Sequence, residues 1–129
     1  MENAQTRDAN GARGFKMKKE DKLFLISFIT IILVRISVFV NPVHLIIFGI
    51  IIHHFWIGLA LMLIGFMFRE KIRLLCLGVG VGLMIDEFGF MINGGGSFTE
   101  YWSLYSIISV IVLLGIFYLT RKKTCKSIF

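Results

Sequence analysis

Residues 74–92, LLCLGVGVGLMIDEFGFMI, are the stretch of sequence that decides the fold. Their length and apolar composition are typical of a helix that crosses a lipid bilayer, because about 20 apolar residues span the hydrocarbon core. Asp86 and Glu87 interrupt this apolar stretch. A carboxylate in hydrocarbon is costly unless another group pairs with it, coordinates it or hydrates it. The acidic pair therefore predicts a polar site inside a membrane-embedded helix.

Much of the rest of the chain is also apolar. Of the 129 residues of the whole chain, 57% are hydrophobic, and further apolar blocks cover residues 23–40, 43–68 and 101–119. Asn41-Pro42 ends the first block, and residues 69–73 and 93–97 predict a charged turn and a flexible loop. We expect an all-α membrane protein, a bundle of four transmembrane helices over residues 23–119. Residues 1–22 and 120–129 are expected to be basic cytoplasmic tails, the first of them flexible.

The second block, residues 43–68, has two interpretations. It is longer than one crossing requires, so it fits a single tilted helix. Alternatively, residues 43–52 form an interfacial or re-entrant segment, and the spanning helix begins near His53. We favour the second interpretation, because it places His53 and His54 near a helix N-terminus.

The basic residues predict the orientation. Thirteen of the 14 Lys and Arg residues fall on one side of a four-span topology: Arg7, Arg13, Lys16, Lys18, Lys19, Lys22, Arg69, Lys71, Arg73, Arg121, Lys122, Lys123 and Lys126. The positive-inside rule then places both termini in the cytoplasm of a multi-pass protein of the plasma or inner membrane. We interpret the lysines before the first span as topology-setting charge rather than as contacts to anionic lipid.

The charge excess therefore does not indicate nucleic-acid binding, and no cleaved signal peptide is expected. Cys76 and Cys125 fall on the predicted cytoplasmic side, so no disulfide is expected.

The second and third spans predict a hairpin centred near Glu70. Residues at equal distances from that centre should lie at similar depth, which sets Gly58 against Gly82 and His54 against Asp86. Glycines on facing stripes let transmembrane backbones approach closely. We therefore expect His54 to contact Asp86.

Arg35 has a similar depth in the first span. It is the expected counter-ion of Glu87.

The side-chain types in this cluster leave its chemistry open. Imidazole and carboxylate suit a divalent metal such as zinc, with His54, Asp86, Glu87 and His53 as candidate ligands and His44 or Glu100 as further options. In an enzyme, Asp86 and Glu87 are the candidate catalytic groups. Tyr101, Trp102 and Tyr105 are candidate substrate or interface residues. The competing interpretation is a buried ion-pair cluster that fixes the helix register without chemistry.

Three short segments also resemble a known group of sequences. His53-His54-Phe55, Asp86-Glu87-Phe88 and Tyr101-Trp102-Ser103 follow in the order of an uncharacterised group of small polytopic membrane proteins of bacteria and archaea. The resemblance covers roughly residues 42–106. It implies that the three segments act as one unit, and it implies no reaction.

Three functions remain open from the sequence. We favour a structural or accessory membrane protein, because four short helices enclose little volume. The alternatives are a metal-dependent intramembrane enzyme that acts on lipid and an oligomeric ion or proton transporter or channel. The expected partners are membrane lipid and either a second copy of the chain or another membrane protein.

Overall fold

A computed structural model describes residues 16–42, 45–48, 50–94 and 96–129. The described chain is predominantly helical. In order, its elements are α1 Lys19–Val40, β1 Leu45–Ile47, β2 Ile50–Ile52, α2 His54–Gly65, α3 Glu70–Ile92, α4 Phe98–Tyr101 and α5 Leu104–Ile128. Among the described residues, three helices are long and apolar enough to cross a membrane: α1, α3 and α5. This composition indicates a membrane protein.

Ion pairs define one end of the molecule. Lys19 at the start of α1 pairs with Glu70 at the start of α3. Arg121, near the end of α5, donates to Asp21 over 3.0 Å. Thus α1 and α3 run in the same direction, and α5 runs back toward the start of α1. We call the end that holds these pairs the basic end and the opposite one the far end.

Helix α3 lies at the centre of the structure. It packs against α1, α2 and α5, whereas α2 packs mainly against α3. In the most apolar 18-residue window of each helix, 56% of the α3 residues are buried, against 17% for α1 and for α5. The helices therefore form a group of three, α1, α3 and α5, with α2 attached to the side of α3. This is more open than a closed four-helix bundle.

Small residues bring α3 close to its neighbours. A Cβ on Gly80 would lie 2.6 Å from the carbonyl oxygen of Gly58 in α2, and a Cβ on Gly82 would lie 2.7 Å from that of Ser27 in α1. The Ser27 hydroxyl donates to the Gly78 carbonyl oxygen over 2.8 Å. These close approaches correct the predicted pairing of glycines, since Gly58 faces Gly80 rather than Gly82. Gly82 instead packs against α1.

The described part of residues 43–68 is a hairpin followed by a short helix. Strands β1 and β2 pair antiparallel, with Ile47 opposite Ile50, and Phe48 at the turn has a φ of 52°. Helix α2 begins at His54, as the favoured interpretation expects, but it has only 12 residues. At about 1.5 Å per residue it covers roughly 18 Å, less than the hydrocarbon core. Val43, His44 and Gly49 lie outside the described residues.

The remaining boundaries also differ from the predictions. Glu70 begins α3, so most of the predicted charged turn is helical. The predicted fourth span is broken at Trp102 and Ser103, because the Ser103 hydroxyl accepts from the Ser106 amide and starts α5 there. Helix α5 continues through most of the predicted C-terminal tail to Ile128. Of the predicted N-terminal tail, residues 1–15 lie outside the described part, and α1 already begins at Lys19.

Candidate functional site

Asp86 and Glu87 lie near the far end of α3 and are buried, with 0% and 4% of their surface exposed. Successive residues of a helix point about 100° apart, given 3.6 residues per turn. The two carboxylates consequently face different neighbours. Asp86 points toward α1, α4 and α5, whereas Glu87 points toward the start of α2.

Asp86 is held by groups from two other segments, and one of these groups also bonds a third segment. The Arg35 guanidinium of α1 donates through Nε to Oδ1 over 2.7 Å. The Tyr101 hydroxyl of α4 donates to Oδ2. Arg35 also donates through Nη2 to the Ser106 hydroxyl of α5 over 3.3 Å. Asp86 and Arg35 therefore join α1, α3, α4 and α5 in one hydrogen-bonded network.

Aromatic rings cover the arginine side of this network. The Arg35 guanidinium lies 4.8 Å from the ring centre of Tyr101 and 5.4 Å from that of Trp102. A ring face attracts a cation electrostatically and limits its contact with solvent. The Trp102 ring also meets Phe39 edge to face. Its buried indole N–H has no partner among the described residues.

Glu87 holds the start of α2. Its Oε2 accepts from the Phe55 amide over 2.6 Å, and its Oε1 lies 3.1 Å from His53 Nδ1 and 3.7 Å from His54 Nδ1. The first amides of a helix have no partner within the helix, and a negative charge there is favourable. The Glu87 carboxylate thus caps α2 from the neighbouring helix.

These contacts correct two predicted pairings. Arg35 bonds Asp86 rather than Glu87, and His54 approaches Glu87 rather than Asp86. The cause is the rotation of α3 about its axis, which turns Gly80 and Glu87 toward α2 and turns Gly82 and Asp86 toward α1.

The three predicted aromatic residues have different surroundings. Tyr101 is 4% exposed and belongs to the network. Trp102 packs on Arg35, whereas Tyr105 is 74% exposed and none of the network contacts described above involves it. Sequence reasoning missed Ser106, and it missed the Phe55 amide. The position of Ser106 three residues after Ser103 is a helix-start signal that could have drawn attention to it.

The candidate metal ligands are only partly brought together. His53 and His54 converge on Glu87, whereas Asp86 is occupied by Arg35 and Tyr101. Within the described ranges, no group of three His, Cys, Asp or Glu side chains is placed to hold a metal ion. Glu100 bonds the Gly96 amide over 3.0 Å, and His44 lies outside the described residues. Metal binding stays a prediction. The two cysteines, Cys76 and Cys125, are free thiols.

All four carboxylate oxygens of the pair have a polar partner. Because these partners belong to several helices, the bonded pair fixes the relative positions of the helices that supply them.

Comparison of the chain with protein-family models, with curated proteins and with solved structures found no match.

Proposed function

We propose that this chain is a structural or accessory protein of the plasma or inner membrane whose buried charged cluster fixes the arrangement of its helices. The observation that carries the proposal is the complete pairing of Asp86 and Glu87. No carboxylate oxygen of this pair is left without a partner, and the partners come from α1, from α4 and from the start of α2.

The direction of the helices supports a four-crossing topology with both ends cytoplasmic. α1 and α3 run from the basic end, whereas α2 and α5 return to it. Apart from Arg35, the Lys and Arg residues of the described chain flank this end, which the positive-inside rule assigns to the cytoplasm. In this proposal the β1–β2 hairpin precedes α2 at the far end, and α2 returns the chain toward the basic end. A two-stranded hairpin has unpaired backbone groups along both edges, so we assign it to the interface at the far end.

An accessory role is supported by the open side of α2. Because α2 packs mainly against α3, an apolar groove remains between α2 and α5. Its lining includes Met62, Val81, Met84, Ile85, Leu113, Ile116, Phe117 and Thr120. Lipid or a helix of another membrane protein, or of a second copy of the chain, would cover this groove in a bilayer.

The test compares Asp86→Asn with Glu100→Gln in protein purified in detergent. Removing one partner of a buried ion pair costs about 3–5 kcal/mol in soluble proteins, and polar contacts in membranes are worth less. We expect Asp86→Asn to lower Tm by about 5 °C or more, because it leaves Arg35 without its counter-ion. Glu100→Gln removes a carboxylate charge from an exposed hydrogen bond near the far end and should leave Tm nearly unchanged. An unchanged Tm for Asp86→Asn would contradict the structural role.

A metal-dependent enzyme is the second candidate, because the Nδ1 atoms of His53 and His54 approach one oxygen of Glu87. Elemental analysis of protein purified without chelators separates the two functions. The structural proposal expects no stoichiometric metal. One bound zinc per chain, lost in the His53→Ala/His54→Ala variant, would contradict the structural proposal and support the metal-dependent enzyme.

A further inference from the structure

A second cluster of charge lies at the basic end, far from Asp86 and Glu87. The first residues of α1 and the last turns of α5 enclose a pocket there. Its lining residues are Lys18, Lys19, Glu20, Lys122, Cys125, Lys126 and Phe129. The pocket thus gathers basic residues from opposite ends of the chain.

The side chains of this pocket carry a net positive charge. Four of its lining side chains carry ammonium groups, and Glu20 is the one carboxylate side chain among them. Lys19 is already paired with Glu70. Lys18, Lys122 and Lys126 are exposed. Ammonium groups that share one concave surface attract an anion more strongly than the same groups spread over a surface.

The pocket also has an apolar side. Cys125 is 7% exposed, and the Lys19 ammonium lies 5.8 Å from the ring centre of Phe129. The apolar part of α1 begins at Leu23, and that of α5 ends at Leu119. The pocket therefore lies where hydrocarbon meets the aqueous phase if these helices cross a bilayer.

We propose that this pocket binds the phosphate of an anionic phospholipid, with Lys18, Lys122 and Lys126 around the phosphate and Phe129 beside the glycerol and upper acyl chain. Positive charge next to apolar surface at the level of the head groups suits a lipid better than a soluble anion, which has no apolar part to bury. The proposal needs the helices to cross a membrane, but it does not depend on the structural role of Asp86 and Glu87.

Native mass spectrometry of the full chain in detergent tests this site. The probes are phosphatidylglycerol, phosphatidylcholine and soluble glycerol phosphate. We expect phosphatidylglycerol to bind preferentially and Lys122→Gln/Lys126→Gln to weaken that binding roughly tenfold to thirtyfold, since each lysine near an anionic surface contributes on the order of 1 kcal/mol.

The matched control is Lys71→Gln/Lys123→Gln. Like the first double variant, it removes two positive charges, but from exposed lysines near the basic end that do not line the pocket. Full binding by this control, with no binding of glycerol phosphate, supports the site. Equal loss in both double variants would show attraction by net charge and overturn it. Equal affinity for glycerol phosphate, or for phosphatidylcholine, would overturn the assignment to an anionic lipid.

Discussion

Asp86 and Glu87 are neighbours in sequence, yet each stabilises a different contact of α3. Asp86 connects α3 to α1 through Arg35, whereas Glu87 connects it to α2 through the Phe55 amide. This division follows from the angle between adjacent helical residues. Variants at the two positions should therefore have distinct effects on the fold.

Glu87→Gln tests this division at the residue scale. Glutamine keeps an oxygen for the Phe55 amide but loses the charge, and hydrogen bonds to charged groups are worth about 1.5–3 kcal/mol against about 1 for neutral ones. We expect hydrogen exchange at the first turns of α2 to accelerate about fivefold to tenfold, with α1 unaffected.

Asp86→Asn is the matched comparison and should act on α1 and α4 instead. Identical exchange patterns in the two variants would show that the cluster is a single unit, which contradicts separate roles.

At the scale of elements, the glycines set the spacing between α3 and its neighbours. A Cβ on Gly80 would lie 2.6 Å from a backbone oxygen of α2, closer than van der Waals contact allows, whereas a Cβ on Gly115 of α5 meets nothing within 4 Å. Both glycines are in helices that are candidate spans. They form a natural pair for testing the contact between α2 and α3.

We expect Gly80→Ala to destabilise the protein and Gly115→Ala to be neutral or to stabilise it by up to about 1 kcal/mol, the difference in helix propensity. Thermal unfolding followed by circular dichroism in detergent measures both. If Gly80→Ala is as stable as Gly115→Ala, α2 does not pack on α3 at this distance.

The same elements show how far the sequence predicts the structure. The ends of α1 at Val40 and of α3 at Ile92 agree with the predicted spans, because Asn41-Pro42 and the glycine-rich loop are strong local signals. Residues 45–52 are continuously apolar, a pattern that fits a strand as well as a helix. Their many isoleucines favour a strand, but length and hydropathy favoured a membrane segment.

The cluster was predicted as a set of residues, but not its pairings. The depth of a residue along a helix can be estimated by counting residues from a turn. That count correctly predicted a similar depth for Arg35, the histidines and the acidic pair. Which carboxylate meets which partner depends on helix rotation and on register. The hairpin count assumed a turn centred near Glu70, whereas Glu70 is already the first residue of α3. The contacts of Gly80 with Gly58 and of Gly82 with Ser27 reflect the rotation of α3, which counting residues does not give.

At the scale of the whole molecule, the proposed topology separates Phe48 and Lys123 by the full membrane. Phe48 is 99% exposed at the hairpin turn, and Lys123 is exposed near the end of α5. In a chain with Cys76 and Cys125 replaced by serine, we expect Phe48→Cys to react with a membrane-impermeant maleimide in intact cells. Lys123→Cys should react only after permeabilisation.

A control at Lys71→Cys, between α2 and α3, should behave like Lys123→Cys. Labelling of all three positions in intact cells would show that the cells leak. Two results would contradict the four-crossing topology. One is labelling of Phe48→Cys only after permeabilisation, and the other is labelling of Lys71→Cys in intact cells that leave Lys123→Cys unlabelled.

The pairing of Arg35 with Asp86 has a consequence for how the protein is made. The two residues are 51 positions apart, so Arg35 leaves the ribosome well before its counter-ion does. During that interval its guanidinium can reach the nearby lipid head groups, since α1 ends at Val40. In the proposed topology the first helix would thus be inserted before its partner exists, and the ion pair can form only after α3 has been synthesised.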